Sequence, residues 1–293
     1  MTLLKKRKFH LAICTHLLYP CGQLFALKPL IAELSTNGFR ITLICRVTEK
    51  ILPWLDNFAG ASRLLPLRQG ASLIPVMRKL ERDAPDAILN ATHADQGTQI
   101  ALQLKKPLFW RLASHPRWWW KNDKGNSQAS IRTSVRKIAL LADGIIAVSD
   151  FVRAPFLRAA NGKAETIYEG CDTVFFRPEK RERAEFRKEF RLADGDLALG
   201  IVANITWQKR HAVALKALAR LRRKGIPLKC FFVGGAFDRP MQSERHRLMQ
   251  MVKKLHLSPH VVWTGFRNDR RRVLNGLDVV VFPSLDEGCS LAL

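Results

Sequence analysis

The sequence lacks closely spaced cysteines and long apolar runs. Its six cysteines are scattered without a CxxC pair, which excludes the usual patterns of zinc sites and disulfide frameworks and favours a reducing compartment. The apolar runs are interrupted and strand-sized, shorter than the ~20 residues that a membrane-spanning helix needs. His16 also interrupts the apolar run near the amino end, which favours a first core strand there over a signal peptide.

Acidic residues are also scarce. Asp and Glu number 25 against 49 Lys and Arg, so the formal net charge is +24. No basic tail carries this excess, and a surface that is basic throughout should attract polyanions. Nucleic acid, anionic lipid headgroups and phosphorylated glycans all remain candidates, because charge alone does not choose among them.

Strand-like runs alternate with helix-length amphipathic runs along all 293 residues, which predicts an α/β fold in two domains. The second half is predicted to include a helix over Glu244–Leu255. We predict two Rossmann-like, doubly wound parallel-sheet domains that face each other across a cleft, covering residues 1–172 and 173–293. Ligands of such folds bind at the carboxyl ends of the strands, so the residues that follow each strand are the site candidates.

The turn after the strand LALGIVAN is one such candidate. Lys209 lies there, just before a predicted helix whose free amides could bind a phosphate together with its ammonium group. A solvated loop cation is the alternative. The strand ending in Gly234-Gly235 could let backbone approach a nucleotide, although a tight turn explains the same pair of glycines.

Among the candidate ligand-binding segments, the closing stretch VVVFPSLDEGCSLAL gives the most specific indication of a site. It predicts a buried strand that ends at Pro283, a carboxylate at its edge, Glu287, and inward-facing amides of Gly288, Cys289 and Ser290 at the start of a helix. Such a carboxylate could hold sugar hydroxyls while the amides hold a diphosphate. A helix-capping acid is the alternative.

Several motifs, in order, resemble the family-4 retaining glycosyltransferases of the glycosyl transferases group 1 family. YEGCDTVFFRP is similar to that family's P-N-G-V-D-x-x-x-F-x-P segment, and VANITWQKR is similar to its strand and turn with a phosphate-binding lysine. The run from VVWTG to FPSLDEGCSLAL resembles its V-x-F-x-G, A-D-V-x-V-x-P-S and E-G-F-G-L motifs, and ADGIIAVSDFVR resembles the last strand of its first domain.

The resemblance implies a GT-B enzyme that transfers a sugar from a nucleotide-diphosphate sugar with retention, without a metal or other cofactor. Glu287, as the first acid of a Glu-x7-Glu motif, would meet the sugar, and a histidine of the first domain, His93 or His115, would complete the catalytic residues. Either histidine could instead be a surface residue. The donor-binding residues predicted from the motifs and the resemblance are Gly22, Asn204, Lys209, Gly234, Phe266, Arg267, Gly288, Cys289 and Ser290.

The sequence departs from the family's pattern at two places. Asn204 and Thr206 occupy the positions where the family has an arginine partner for its lysine. Glu169 replaces the asparagine of P-N-G-V-D, and an additional acid would repel a diphosphate nearby.

The run Pro116–Lys121 contains three successive tryptophans with basic flanks, which are typical of an interfacial membrane anchor or a sugar platform; a loop over the core is the alternative. Together with the charge, it favours a cytoplasmic protein on the anionic inner membrane face, acting on an envelope glycan or lipid-linked acceptor such as lipopolysaccharide core. A GT-B nucleotide-sugar hydrolase or epimerase is one alternative. A basic nucleic-acid-binding α/β protein is another, but no nucleic-acid module is recognisable, so nucleic acid is not an expected partner.

The second acid of the Glu-x7-Glu motif would fall eight residues after Glu287, beyond Leu293. The sequence therefore predicts a second domain that is incomplete within its donor site, and reduced activity for these 293 residues.

Overall fold

A computed structural model describes residues 7–17, 20–48, 58, 60–68, 71–92, 95–116 and 128–290. The chain divides into two compact units, Met1–Gly170 with Gly288–Leu291 and Cys171–Glu287 with Ala292–Leu293. The predicted boundary after residue 172 lies two residues from this division. All six cysteines are free thiols. Among the described residues, no helix is long and apolar enough to cross a membrane.

The first unit contains a seven-stranded parallel sheet with the order β3-β2-β1-β4-β5-β6-β7. Its strands are β1 (His10–Leu17), β2 (Arg40–Val47), β3 (Arg63–Arg68), β4 (Ala87–Asn90), β5 (Leu108–Leu112), β6 (Gly144–Ala147) and β7 (Ala164–Thr166). Its helices are α1 (Gly22–Thr36), α2 (Ile74–Asp83), α3 (Gln96–Leu104), α4 (Gln128–Leu141) and α5 (Asp150–Arg153).

Strand β1 organises this sheet because it pairs with β2 on one side and β4 on the other. Its side chains alternate between two apolar clusters: Ala12 and Cys14 belong to one, and Ile13 belongs to the other. A strand buried on both faces is the expected centre of a doubly wound sheet. The strand order reverses at β1, which makes its carboxyl end a ligand-binding position of this fold.

The second unit contains a four-stranded parallel sheet with the order β10-β9-β8-β11. Its strands are β8 (Leu197–Val202), β9 (Leu228–Val233), β10 (Val261–Gly265) and β11 (Val279–Val280). Its helices are α6 (Lys180–Glu189), α7 (His211–Arg223), α8 (Arg239–Lys254) and α9 (Arg270–Gly276).

The helices of the second unit cover both faces of its sheet. Phe232 of β9 packs in a cluster with Leu215 of α7 and Leu248 of α8. Phe231 packs on the opposite face, with Phe186 of α6 and Val273 of α9. The predicted α/β fold class with two doubly wound parallel sheets is confirmed.

Two sequence predictions of helix starts are wrong in detail. Helix α8 begins at Arg239, five residues before the predicted start, because Asp238 caps it by accepting a hydrogen bond from the Met241 amide at 2.9 Å. No helix begins between Gly288 and Ser290 in the described part of the chain. Gly288, Cys289 and Ser290 therefore do not have helical backbone, and their predicted role in donor binding stays a prediction.

Candidate active site

The order of the second sheet places two loops side by side. Strand β8 lies between β9 and β11, so the chain order reverses at β8. The loops that follow β8 and β11 are joined by a hydrogen bond from the Leu285 amide to the Gln208 carbonyl, 3.0 Å long. These loops lie at the reversal point of a parallel sheet, where such folds bind their ligands.

Lys209 and Glu287 meet in these two loops. The Lys209 ammonium lies 2.6 Å from Oε1 and 2.8 Å from Oε2 of Glu287. The Ser284 hydroxyl donates a 2.7 Å hydrogen bond to the same Oε1. Both charged side chains are about one-quarter exposed, so solvent and ligands can reach the pair. The structure thus brings together the predicted phosphate-binding cation and the predicted sugar-binding acid.

The turn that holds Lys209 leads directly into α7. Residues Trp207–Lys209 form one 3-10 turn, and Arg210 then adopts a left-handed conformation with φ of 50°. Arg210 occupies the N-cap position of α7 without a side-chain hydrogen bond to the helix. The amino end of this helix therefore presents amides that no side chain caps, beside a lysine.

His211, the first residue of α7, is fully buried. Its ring contacts the Phe232 ring at 5.0 Å between centroids, and within the described residues neither ring nitrogen has a hydrogen-bond partner. Burial, and secondarily the Lys209 charge, lower the pKa of His211 from 6.5 to about 4. His211 is therefore neutral at physiological pH and leaves Lys209 and Arg210 as the cations of the turn.

Two predicted donor-binding residues support the loops themselves. The Asn204 side-chain oxygen accepts a 3.2 Å hydrogen bond from the Gly235 amide, which ties the loop after β8 to the loop after β9. A Cβ atom on Gly234 would lie 1.9 Å from the Ala203 carbonyl oxygen. Glycine is therefore required at position 234 by the approach of protein backbone, whether or not a nucleotide also binds there.

Phe266 and Arg267, predicted near the nucleotide base, follow β10. The Phe266 ring contacts the Phe237 ring edge-on at 6.0 Å. The Arg267 guanidinium binds the carboxylates of Glu189 and Asp269, and these hydrogen bonds raise its pKa. Arg267 is thus held by two acids of its own unit, and its predicted place near the nucleotide base stays a prediction.

Three predicted site residues, Gly22, His93 and His115, come from the first half of the sequence. Gly22 is the exposed first residue of α1, and the neighbouring Gln23 side chain donates a 3.0 Å hydrogen bond to the Thr15 hydroxyl of β1. His115 stacks on Phe151 with ring centroids 4.9 Å apart. His93 and the tryptophans at 118–120 lie outside the described residues, so these predictions stay predictions.

The segment from Gly288 to Ser290 is fixed by packing against the first unit, to which it is assigned. A Cβ atom on Gly288 would lie 2.2 Å from the Ala113 carbonyl oxygen, and Cys289 packs against that unit's core cluster. This tertiary packing, and not local helix propensity, sets the backbone here. It explains why the predicted helix start is absent.

Glu169 does not present a free charge. It forms an ion pair with Arg111, whose side chain is 6% exposed in β5, and Glu169 is itself 15% exposed. Burial lowers the pKa of Arg111, and Glu169 partly opposes that shift by stabilising the charged guanidinium. Arg111 therefore compensates the charge of Glu169, a pairing that the sequence-based expectation of repulsion did not include.

Sequence reasoning missed Ser284 and Arg111. An arginine inside the apolar strand Leu108–Leu112 was the available signal for Arg111, because a buried cation needs an acidic partner. Ser284 carried no such signal, since its role depends on the fold of the loop around Glu287. In the described part of the chain, no group of three or more His, Cys, Asp or Glu residues could hold a metal ion.

Comparisons with known proteins agree on the type of domain. The family model of the glycosyl transferases group 1 matches residues 182–293. EpsD of Bacillus subtilis (strain 168) is 28% identical over 145 residues, 48% of this chain and 36% of EpsD. WclY of Escherichia coli, an O-antigen biosynthesis glycosyltransferase, is 26% identical over 133 residues, 45% of this chain and 34% of WclY.

The fold is shared with solved structures. Anabaena HepE, crystallised in complex with UDP and glucose, superposes with a TM-score of 0.79 at 19% identity, covering 94% of this chain and 74% of HepE. The chain spans about a third of the length of the curated relatives it matches. Residues 182–293 are a glycosyl transferases group 1 domain, and the chain has the GT-B fold of its structural neighbours.

Proposed function

We propose that the protein transfers a sugar, with retention of anomeric configuration, from a nucleotide-diphosphate sugar to an envelope glycan or lipid-linked acceptor. The observation that carries this proposal is the Lys209–Glu287 pair, with 2.6 Å between the ammonium and Oε1, at the reversal point of the second sheet. A cation and an acid at this position suit the two parts of such a donor. The diphosphate needs positive charge, and the sugar hydroxyls need hydrogen-bond acceptors.

In the proposed reaction, the bond between the anomeric carbon and the diphosphate oxygen breaks, and negative charge develops on the departing diphosphate. The Lys209 ammonium and the uncapped amides at the start of α7 would stabilise that charge. Glu287 would accept hydrogen bonds from the sugar hydroxyls, which orients the anomeric carbon. The acceptor hydroxyl oxygen would form the new bond to the anomeric carbon, and the departing diphosphate would take the proton of that hydroxyl.

The donor would have to compete with the existing ion pair. In the free protein, the Lys209 ammonium donates hydrogen bonds to both carboxylate oxygens of Glu287. We propose that the diphosphate replaces Glu287 as the partner of the Lys209 ammonium, while the sugar hydroxyls replace Lys209 as the partner of the Glu287 carboxylate. A complete nucleotide sugar would then satisfy both groups, whereas a nucleoside diphosphate alone would leave Glu287 without its partner.

The acceptor class is proposed from chemistry and similarity together. WclY is an O-antigen biosynthesis glycosyltransferase, which supports an envelope glycan for this chain. The formal net charge of +24 suits an anionic acceptor and the anionic inner face of the cytoplasmic membrane. We therefore propose a cytoplasmic protein attached peripherally to that membrane.

The test is a ligand screen on this chain by saturation-transfer NMR, with UDP-, GDP- and ADP-sugars. We expect one nucleotide class to bind and Lys209→Ala to weaken it about tenfold or more, since a hydrogen bond to a charged group contributes about 1.5–3 kcal/mol. Lys216→Ala, which removes an exposed cation of α7, is the matched control and should bind as the wild type does. Unchanged donor binding by Lys209→Ala would contradict the phosphate assignment.

Product analysis tests the reaction itself. We expect a glycosylated acceptor with the anomeric configuration of the donor. Release of free sugar without an acceptor, at a rate that an added acceptor does not change, would instead indicate a nucleotide-sugar hydrolase.

A further inference from the structure

The two helix layers of the second unit differ in how their charges are paired. Helices α7 and α8 together carry nine Lys and Arg residues and one acid, Glu244. Among the described residues, these nine cations form one ion pair, between Arg247 and Glu244. Eight cations on this layer therefore have no acidic partner in the part of the chain that the structure describes.

The opposite layer, α6 and α9, is also rich in cations, but five of its eight cations form ion pairs within the described residues. Arg272 of α9 binds Glu182 and Glu185 of α6, and Arg271 binds Glu179. Arg183 and Arg187 of α6 both reach Asp278. Within the described residues, a smaller share of the cations is therefore paired on α7 and α8 than on α6 and α9.

We define the α7/α8 face by the exposed cations of these two helices, which are Lys216, Arg220, Arg223, Arg239, Arg245, Arg247, Lys253 and Lys254. Val213 and Met249 lie among them, each 40% exposed. The apolar residues on the inner side of both helices, such as Leu215 and Leu248, face the sheet. The face therefore presents a broad positive surface with a few apolar side chains.

The positive field extends around the carboxyl ends of the two helices. His260, which follows α8 and precedes β10, has a pKa lowered by burial and then by the charges of Arg222 and Lys229. Unpaired like charges at this spacing cost folding free energy in a monomer. An anionic partner that binds the face removes that repulsion.

We propose that the α7/α8 face is the surface through which this protein binds an anionic lipid bilayer. A bilayer of anionic headgroups matches a broad surface of arginines and lysines, each of which contributes attraction near the membrane. Exposed Val213 and Met249 fit the boundary between headgroups and acyl chains. The inference rests on the proposed membrane-linked acceptor and adds the surface that would make the contact.

A nucleic acid is less well matched to this face. Helices α7 and α8 contain no phenylalanine, tyrosine or tryptophan. Proteins that bind single-stranded nucleic acid usually stack bases on such aromatic rings. The basic side chains are also spread over two helices side by side, and no recognisable nucleic-acid module carries them.

The test is vesicle flotation with the whole chain. Phosphatidylglycerol in phosphatidylcholine vesicles should recruit the wild type at low salt, phosphatidylcholine alone should not, and added salt should release it. The variant Lys216→Gln/Arg220→Gln/Arg223→Gln/Lys253→Gln should lose about tenfold or more of the partition coefficient. The control Arg78→Gln/Lys79→Gln/Arg132→Gln/Arg136→Gln removes the same charge from exposed positions of the first unit and should bind nearly as the wild type does.

Four outcomes would overturn the proposal. They are no recruitment of the wild type, equal losses in both variants, no loss in the α7/α8 variant, and binding to duplex DNA that depends on the face while vesicle binding does not. Donor binding, measured by NMR on the same proteins, is a separate readout. If vesicle binding depends on the face but no nucleotide sugar binds, the proposed function fails and the membrane surface stands.

Discussion

The Lys209 ammonium bridges both carboxylate oxygens of Glu287, at 2.6 Å and 2.8 Å, across 78 residues of sequence. Each of the two charged groups therefore already has a partner of opposite charge before any ligand binds. A ligand that replaces only one side of the pair leaves the other charge without its partner. The pair therefore favours ligands that carry both an anion and hydroxyl groups.

Substituting Glu287 should separate these two effects. We expect Glu287→Gln to bind a nucleoside diphosphate as tightly as the wild type or more tightly, because the carboxylate no longer competes for Lys209. The same variant should lose the additional affinity that the sugar contributes in the wild type. Titration calorimetry with the nucleotide and its sugar conjugate measures both. Equal losses of affinity for the two ligands would contradict this role of the pair.

Stability should depend on pH through His211. Its pKa is 6.5 in the unfolded chain and about 4 in the folded one, so below pH 6.5 the unfolded state binds the additional proton. The free energy of unfolding should therefore decrease by about 3 kcal/mol as pH falls from 6.5 to 4, at about 1.4 kcal/mol for each pKa unit.

Chemical denaturation across that pH range measures this slope. His211→Leu should remove the His211 share of this slope, whereas His246→Gln, at an exposed position of α8, should leave it unchanged. An equally steep slope in His211→Leu would assign the effect to other groups.

Gly234→Ala should destabilise the second unit. The new methyl group would lie 1.9 Å from the Ala203 carbonyl oxygen, so backbone must shift, at a cost of about 1–3 kcal/mol. Gly170→Ala is the control, because a Cβ atom there meets nothing within 4 Å. Thermal unfolding compares the two. Wild-type stability together with lost donor binding would show that Gly234 serves the ligand and not the fold.

The buried Arg111–Glu169 pair makes a further prediction. Arg111→Met leaves a carboxylate with little exposure and no partner, so we expect a loss of about 3–5 kcal/mol in unfolding free energy. The double variant Arg111→Met/Glu169→Leu should lose less, because no charge is left unpaired. Arg136→Met, at an exposed position, should have little effect. If the double variant loses as much as the sum of both single variants, the two side chains do not act as a pair.

The sequence predicted the features that depend on local patterns. Apolar runs and turn residues identified the strand that precedes Lys209 and the strand that precedes Glu287, so both residues were placed just after strands. The contact between these residues could not be predicted from the sequence, because it depends on β11 pairing with β8 in one register, with Val279 opposite Leu199.

Other features failed where long-range packing competes with local propensity. The segment at Gly288 has the composition of a helix start, but its backbone packs against Ala113, a residue far away in sequence. By contrast, the start of α8 could have been predicted from the sequence. Asp238 followed by Arg239 and Pro240 is an N-cap with proline in the first turn, a local signal that the helical periodicity alone did not use.

The short strand β11 has a consequence for the mobility of the site. Two residue pairs join it to β8. Beyond them, the Val281 amide donates a single hydrogen bond to the Gly200 carbonyl, and the Leu285 amide donates one to the Gln208 carbonyl. Amide hydrogens at 281–287 should therefore exchange with solvent through local opening, well before those of the central strand β8. A ligand that engages Glu287 should slow this exchange, so deuterium uptake in one short peptide would report occupancy of the site.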